Sequence, residues 1–252
     1  MDYHFERESF TTYSKGVVAI IRIKSKVFDL VTDLEESELM LDFIKKTEYD
    51  PQIMALLIIN EPGCYGEDVY EQFMHKILEL QPPEDNNANP NFIQKNTRFR
   101  EINILNKIVK GTAEYQKLSF IGIDGDIVTP FFGAALSADF RFASKGSKII
   151  MAHKKYGLHP SGALPFFLGR YLGHSKAIEF QLSDIIKVKK AMELGLINEI
   201  FETDEFEKLC LIGINNYLHC KTCTMRRTKQ LTSFVNRDLN DYFQFEASLL
   251  NL

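Results

Sequence analysis

Apolar and polar positions alternate between two rhythms along this chain. Gly16–Lys24 is a β-branched apolar run that starts after a glycine, which predicts a strand. Leu34, Leu39, Leu41 and Ile44 then recur at helical spacing among charged residues, with Asp33 placed to cap the helix. Ile53–Ile59 is continuously apolar, the pattern of a strand in a parallel sheet covered on both faces. A turn over Asn60–Gly66 and a helix through Leu80 follow. Residues 81–96 are rich in Pro, Asn and acid, which predicts a loop or insertion. A helix through Ile102, Leu105, Ile108 and Val109 comes next, then a strand at Leu118–Ile123 and a turn at Asp124-Gly125. Phe131–Leu136 begins a helix of small residues. Phe140–Ala143, Lys148–Met151 and Ile197–Phe201 read as short strands, Gly169–Leu182 and Lys189–Leu194 as helices, and the chain from Thr203 as mainly helical. This β-α-β-α order implies an α/β fold with mostly parallel strands.

Composition narrows the function. The 252 residues suffice for one large α/β domain, and 45% hydrophobic with 25% charged residues is ordinary for a globular protein. A net charge of −4 leaves no footprint for nucleic acid, which needs a clustered basic face. No apolar run approaches the roughly 20 residues of a membrane span. The N-terminal MDYHFERESF resembles neither a secretory signal nor a transit peptide, so a cytoplasmic location is expected. The four cysteines read as free thiols, and His219-Cys220-x-x-Cys223 is half of a zinc site with no second half.

Three blocks carry a resemblance. Gly133–Ser144 reads GAALSADFRFAS, Leu182–Ile200 reads LSDIIKVKKAMELGLINEI, and Gly63–Asp68 forms a glycine turn ahead of them. In order and register these resemble the crotonase (enoyl-CoA hydratase/isomerase) superfamily. The resemblance implies a spiral of short β-strands with flanking helices over residues 1–200 and a helical C-terminal part over 201–252. It implies a homotrimer or hexamer, an acyl-CoA thioester as ligand, and no cofactor beyond the coenzyme A that the substrate carries. It also implies two backbone N–H groups holding the thioester carbonyl, where negative charge develops.

The same resemblance shows where the chain departs. The first donor maps onto Tyr65, beside Gly66. The second maps onto Pro130, which has no N–H, while Phe131 and Phe132 still present free N–H groups in the first helical turn, where an anion can sit. The two water-activating glutamates of the hydratases map onto Gly133 and His153, which excludes a two-glutamate hydration. His153 takes a family acid/base position and is a candidate for proton transfer, weighed against a structural histidine beside Lys154 and Lys155. Tyr156, His159 and Asp126 lie near it in sequence, and Cys64 reads as buried and inert. Phe131 and Phe132 read as core packing, or else as residues that fill the acyl pocket. Lys229 and Arg226, with Arg227, fall in a helix where the family carries a lysine near the coenzyme A phosphates; a solvated helix face explains them equally well. Two functions follow: an acyl-CoA enzyme of isomerase or lyase type, working through an enolate, or a non-catalytic crotonase-fold binding or scaffold subunit. An α/β-hydrolase reading finds no Gly-x-Ser-x-Gly elbow.

Overall fold

The computed structural model describes residues 3–79 and 90–249. The chain runs β1 (Phe5–Glu6), β2 (Phe10–Lys15), β3 (Val18–Ile23), α1 (Val27–Leu30), α2 (Leu34–Tyr49), β4 (Ala55–Asn60), α3 (Glu67–Glu79), α4 (Pro90–Ala113) and β5 (Leu118–Ile123). It continues through β6 (Ile127–Val128), α5 (Thr129–Ala135), β7 (Phe140–Ser144), β8 (Lys148–Ile150) and a 3-10 turn over Ala152–Tyr156. Then come α6 (Leu164–Leu172), α7 (His174–Leu182), β9 (Ile185–Lys187), α8 (Val188–Glu193), β10 (Glu199–Phe201) and α9 (Phe206–Asn215). Helix α10 (Thr222–Thr232), a 3-10 turn over Ser233–Asn236 and α11 (Leu239–Ser248) complete it.

Seven strands form one sheet in the order β1-β2-β3-β4-β5-β7-β10. The pairings from β3 to β10 are all parallel, so each needs a crossover through helix. Every residue of β4 is buried, because α2, α3 and α4 pack on one face and α9 on the other. A second sheet, β6-β8-β9, turns away from the first and carries the chain past the start of α5. This is the mixed α/β architecture that the sequence pattern implies.

Four details differ from the sequence reading. Phe10–Lys15 pairs antiparallel with β3 around Gly16, whose φ of +59° suits glycine. Helix α4 begins at Pro90, a favoured first helical position, so residues 90–96 of the expected loop are helical; residues 80–89 lie outside the described ones. The expected helix Gly169–Leu182 is two helices, broken at Gly173 with φ +75°. Ile185–Lys187, read inside a signature block, is a strand on β8.

Candidate functional site

The site is built where two turns meet at the C-terminal ends of β4 and β5. Buried Asn60 joins them: its side-chain amide donates to the Glu61 and Asp124 carbonyls, and its oxygen accepts from the Asp124 N–H at 2.9 Å. The chain then turns through Gly63, φ +83°, and Gly66. A Cβ on Gly66 would stand 3.0 Å from the Gly63 carbonyl oxygen, so a side chain there would crowd the turn. The Gly66 N–H is spent on that same carbonyl, and the Gly66 carbonyl accepts from Tyr70 to start α3. Cys64 is buried and its thiol is pushed up to about 12 by desolvation, which leaves it protonated and inert. The Tyr65 carbonyl accepts from Val128 at 2.9 Å. Among the described residues no acceptor takes the Tyr65 N–H.

Helix α5 starts one residue after Val128, with no side-chain cap and with Pro130 in its first turn. Its first-turn N–H groups have no intrahelical acceptor, and Phe131 supplies the last of them. Phe131 and Phe132 are both buried but do different things. Phe132 stacks on Phe180 in the core at 6.0 Å between centroids. Phe131 lies against Tyr65 at 4.7 Å, with 22° between the rings, and against Phe28 at 5.1 Å. The Tyr65 ring is buried in this stack and its hydroxyl is pushed well above the ordinary tyrosine range by desolvation. Gly133, the position of a hydratase glutamate, is pressed onto the turn leading into α6: a Cβ there would stand 2.5 Å from the Gly162 carbonyl oxygen.

His153 sits on the 3-10 turn Ala152–Tyr156 and is 5% exposed. Its Nδ1 is 2.8 Å from the Thr129 hydroxyl, which also reaches the Ile150 carbonyl at 3.1 Å. A carbonyl only accepts, so the consistent network has Thr129 donating to Ile150 and the imidazole donating from Nδ1 to Thr129. That tautomer leaves Nε2 as the basic atom. Desolvation, helped by the charges of Arg98 and Lys154, lowers the imidazole from 6.5 to about 4. His153 is therefore neutral at pH 7.

This shift has a measurable consequence. The unfolded chain protonates His153 near pH 6.5 while the native chain resists down to about 4, so stability from this group is complete above 6.5 and is lost as the pH falls towards 4. Buried Glu246 works the other way. Desolvation raises its carboxyl from 4.5 to about 7, so its contribution is lost as the pH rises from 4.5 to 7. The wild-type profile is therefore flattened, and a difference isolates each group. The stability gap between wild type and His153→Gln in urea is expected to shrink by about 2–3 kcal/mol from pH 7 to pH 4.5. A gap that stays constant would remove the buried neutral imidazole from the account.

The pattern of the enoyl-CoA hydratase/isomerase family matches residues 123–251. The chain belongs to this family. A probable peroxisomal enoyl-CoA hydratase 1 of Arabidopsis thaliana is 34% identical over 84 residues, 33% of this chain and 32% of that protein. A trans-2-decenoyl-[acyl-carrier-protein] isomerase of Streptococcus mutans is 27% identical over 179 residues, 69% of this chain and 61% of that protein. The chain thus spans about a third to three-fifths of the length of these relatives. An enoyl-CoA hydratase structure from Bacillus halodurans superposes with a TM-score of 0.75 at 17% identity, covering 96% of this chain and 93% of that one, which shows the shared fold.

Within this family fold the structure adds a group that sequence reasoning missed. Arg98 and Glu101, one turn apart on α4, form an ion pair at 2.6 Å, and Glu101 has no solvent exposure. The charge of Arg98 acts on Tyr70, His153 and Glu246. Glu246 on α11 meets Asn106 at 3.3 Å and Tyr242 at 3.4 Å. A helical wheel carries the signal, since positions 98 and 101 continue the buried stripe of Leu105, Ile108 and Val109. Asp126, by contrast, accepts from the Lys148 N–H at 2.9 Å and shapes its turn.

Lys229 does not take the place expected of it. Its Nζ lies inside the protein, 2.7 Å from Asp139, 2.9 Å from the Lys117 carbonyl and 3.3 Å from Ser119 Oγ. Three acceptors use its three protons and leave none for a phosphate. Arg226 is exposed, bonds Gln116, and with Arg227 and Arg237 lines a cleft of about 630 Å³. Gln116 and Lys117 lie at the N-terminal end of β5, whereas Tyr65 follows the C-terminal end of β4. A six-residue strand separates the two places by about 20 Å. The structure brings Tyr65, Phe131 and His153 to one end of the sheet and puts Lys229 and Arg226 at the other.

Proposed function

We propose that the protein binds an acyl-CoA thioester and takes it through an enolate-type reaction of isomerase or lyase class. One observation carries this reading: a buried, neutral imidazole is held by Thr129 at the foot of α5, in the family's acid/base position. The Tyr65 and Phe131 N–H groups hold the thioester oxygen. His153 Nε2 accepts the proton lost from the carbon next to the carbonyl, and returns it elsewhere on the acyl group. A basicity as low as about 4 suits the resting site, and it rises once an enolate stands nearby, because the imidazolium gains a negative neighbour. Pro130 itself offers no N–H, so the second donor is Phe131, the next residue in the first turn of α5. The Streptococcus mutans relative bears the name of an isomerase, which supports chemistry other than hydration. A homotrimer or hexamer belongs to the same proposal.

The Tyr65–Phe131 stack favours a second reading. Two buried rings at the thioester position suit a scaffold subunit that binds no thioester. Calorimetric titration with CoA, acetyl-CoA and a longer acyl-CoA separates the two. Binding that strengthens with the acyl group is expected, and His153→Ala should then lower turnover of an accepted thioester by about 10²–10⁴ while leaving its binding intact. No heat from any of the three ligands would establish the scaffold.

A further inference from the structure

Helix α11 docks by one narrow face. Leu239, Tyr242, Phe243 and Glu246 follow one another at helical spacing. Leu239 is buried, and Tyr242 and Phe243 pack on the main core. Glu246 is the one acid on that face and is only 2% exposed.

A buried carboxylate is costly unless a cation pairs with it. The cation whose charge reaches Glu246, Arg98 on α4, gives its hydrogen bond to Glu101 instead. Among the described residues Glu246 has neutral partners at long range: Asn106 Nδ2 at 3.3 Å and the Tyr242 hydroxyl at 3.4 Å. The turn before α6 adds the Ala163 N–H. Burial and Glu246 both push the Tyr242 hydroxyl up, so it stays protonated. The oxygen of the same buried Asn106 amide has no partner.

One proton meets both needs. A carboxylic acid accepts from an amide N–H and donates its O–H to an amide oxygen, whereas a carboxylate only accepts. Burial works in the same direction and raises the carboxyl from 4.5 to about 7.

The two ends of α11 are held differently. Its start is pinned to α6, where Arg170 bonds the Val235 carbonyl at 2.7 Å and Asp238 at 3.4 Å. Near its far end Glu246 sits between exposed Phe245 and Leu249. Ala163 has φ +57°, rare for a residue with a Cβ, and follows Gly162, which presses on Pro130 of α5. Glu246 thus backs the turn on which α5 rests.

We propose that Glu246 is a proton-operated latch: as the neutral acid it docks the far half of α11 against α4 and the turn before α6, and on ionising it lets that half detach. Detachment also removes support from Gly162 and Ala163, so a rise in pH reaches the helix that carries Phe131. The latch needs no thioester and stands apart from the acyl-CoA reading.

Hydrogen exchange of the whole chain at pH 6 and pH 8.5 tests it. Wild type is compared at each pH with Glu246→Gln, which keeps the shape of the neutral acid, so that the chemical exchange rate cancels. In peptides covering residues 242–249 the ratio of wild-type to variant rate is expected to grow by about 10-fold between the two pH values. This follows because the detached carboxyl titrates at 4.5 and the docked one at about 7. These peptides should also exchange faster than those of β4, since only part of the chain opens. Wild type alone repeats the reading once the chemical exchange rate is divided out, which covers a variant that fails to fold. A ratio that is the same at both pH values would overturn the latch. Exchange of α11 as slow as that of β4 would overturn it too, because α11 would then open only with the whole chain.

Discussion

Gly133→Glu, which restores a hydratase glutamate to its family position, is expected to damage the fold and to create no hydratase. The obstacle is the first carbon of the new side chain. A Cβ at Gly133 stands 2.5 Å from the Gly162 carbonyl oxygen and 2.9 Å from that of Ser161. The contact is reciprocal, since a Cβ at Gly162 would stand 2.2 Å from the Pro130 carbonyl oxygen. Backbone meets backbone here, so no rotamer relieves the clash, and α5 must lift off the segment leading into α6. Lifting it also breaks the Thr129–His153 contact that orders the candidate base. The loss is expected to reach about 3 kcal/mol or more, a fall of about 10 °C in melting temperature for a chain of this size. Gly133→Ala carries the same Cβ and should lose most of that stability, which separates packing from charge. Thermal unfolding with a crotonyl-CoA hydration assay decides the matter. A Gly133→Glu protein that melts with the wild type and hydrates crotonyl-CoA would show that the site has room for the family's water chemistry.

That clash explains what a sequence can and cannot disclose about such a site. The absence of a carboxylate at position 133 is legible in the letters, but the lack of space for one depends on Gly162, which lies 29 residues later in the chain. The parallel strands were legible because burial on both faces writes itself as unbroken apolar runs, as in Ala55–Ile59. The strand Phe10–Lys15 was not, since it alternates buried and half-buried residues for only four positions before becoming exposed. The resemblance alone singled out Tyr65, Phe131 and His153 as candidates, and the fold gathers these three at one end of the sheet. Resemblance did not suffice for Arg98 and Glu101. Charged letters on a helix suggest a solvated face, and only their phase with Leu105, Ile108 and Val109 marks them as inward.

Lys229→Ala is the other large effect, and it decides between a phosphate ligand and an internal tie. Lys229 on α10 draws three segments together through the Lys117 carbonyl, Ser119 and Asp139. Asp139 in turn accepts from the Ser119 N–H at 2.8 Å and from its hydroxyl at 3.0 Å, which holds the start of β5 to the start of β7. Truncating the lysine leaves Asp139 without its cation, the Lys117 carbonyl without its donor, and a gap under α10. Breaking a buried pair on one side costs about 3–5 kcal/mol, so the melting temperature should fall by about 10 °C. CoA should bind the folded variant as it binds the wild type. A phosphate role predicts the reverse, an unchanged melting temperature with weakened CoA binding. Burial lowers the Lys229 pKa more than Asp139 raises it, a sign that charging the amine in place is itself costly. Removing both charges in Lys229→Met/Asp139→Asn should therefore recover part of the stability that the single truncation loses. A double variant as unstable as the sum of its parts would mean that the two side chains act separately, and that α10 is held to the sheet by something other than this pair.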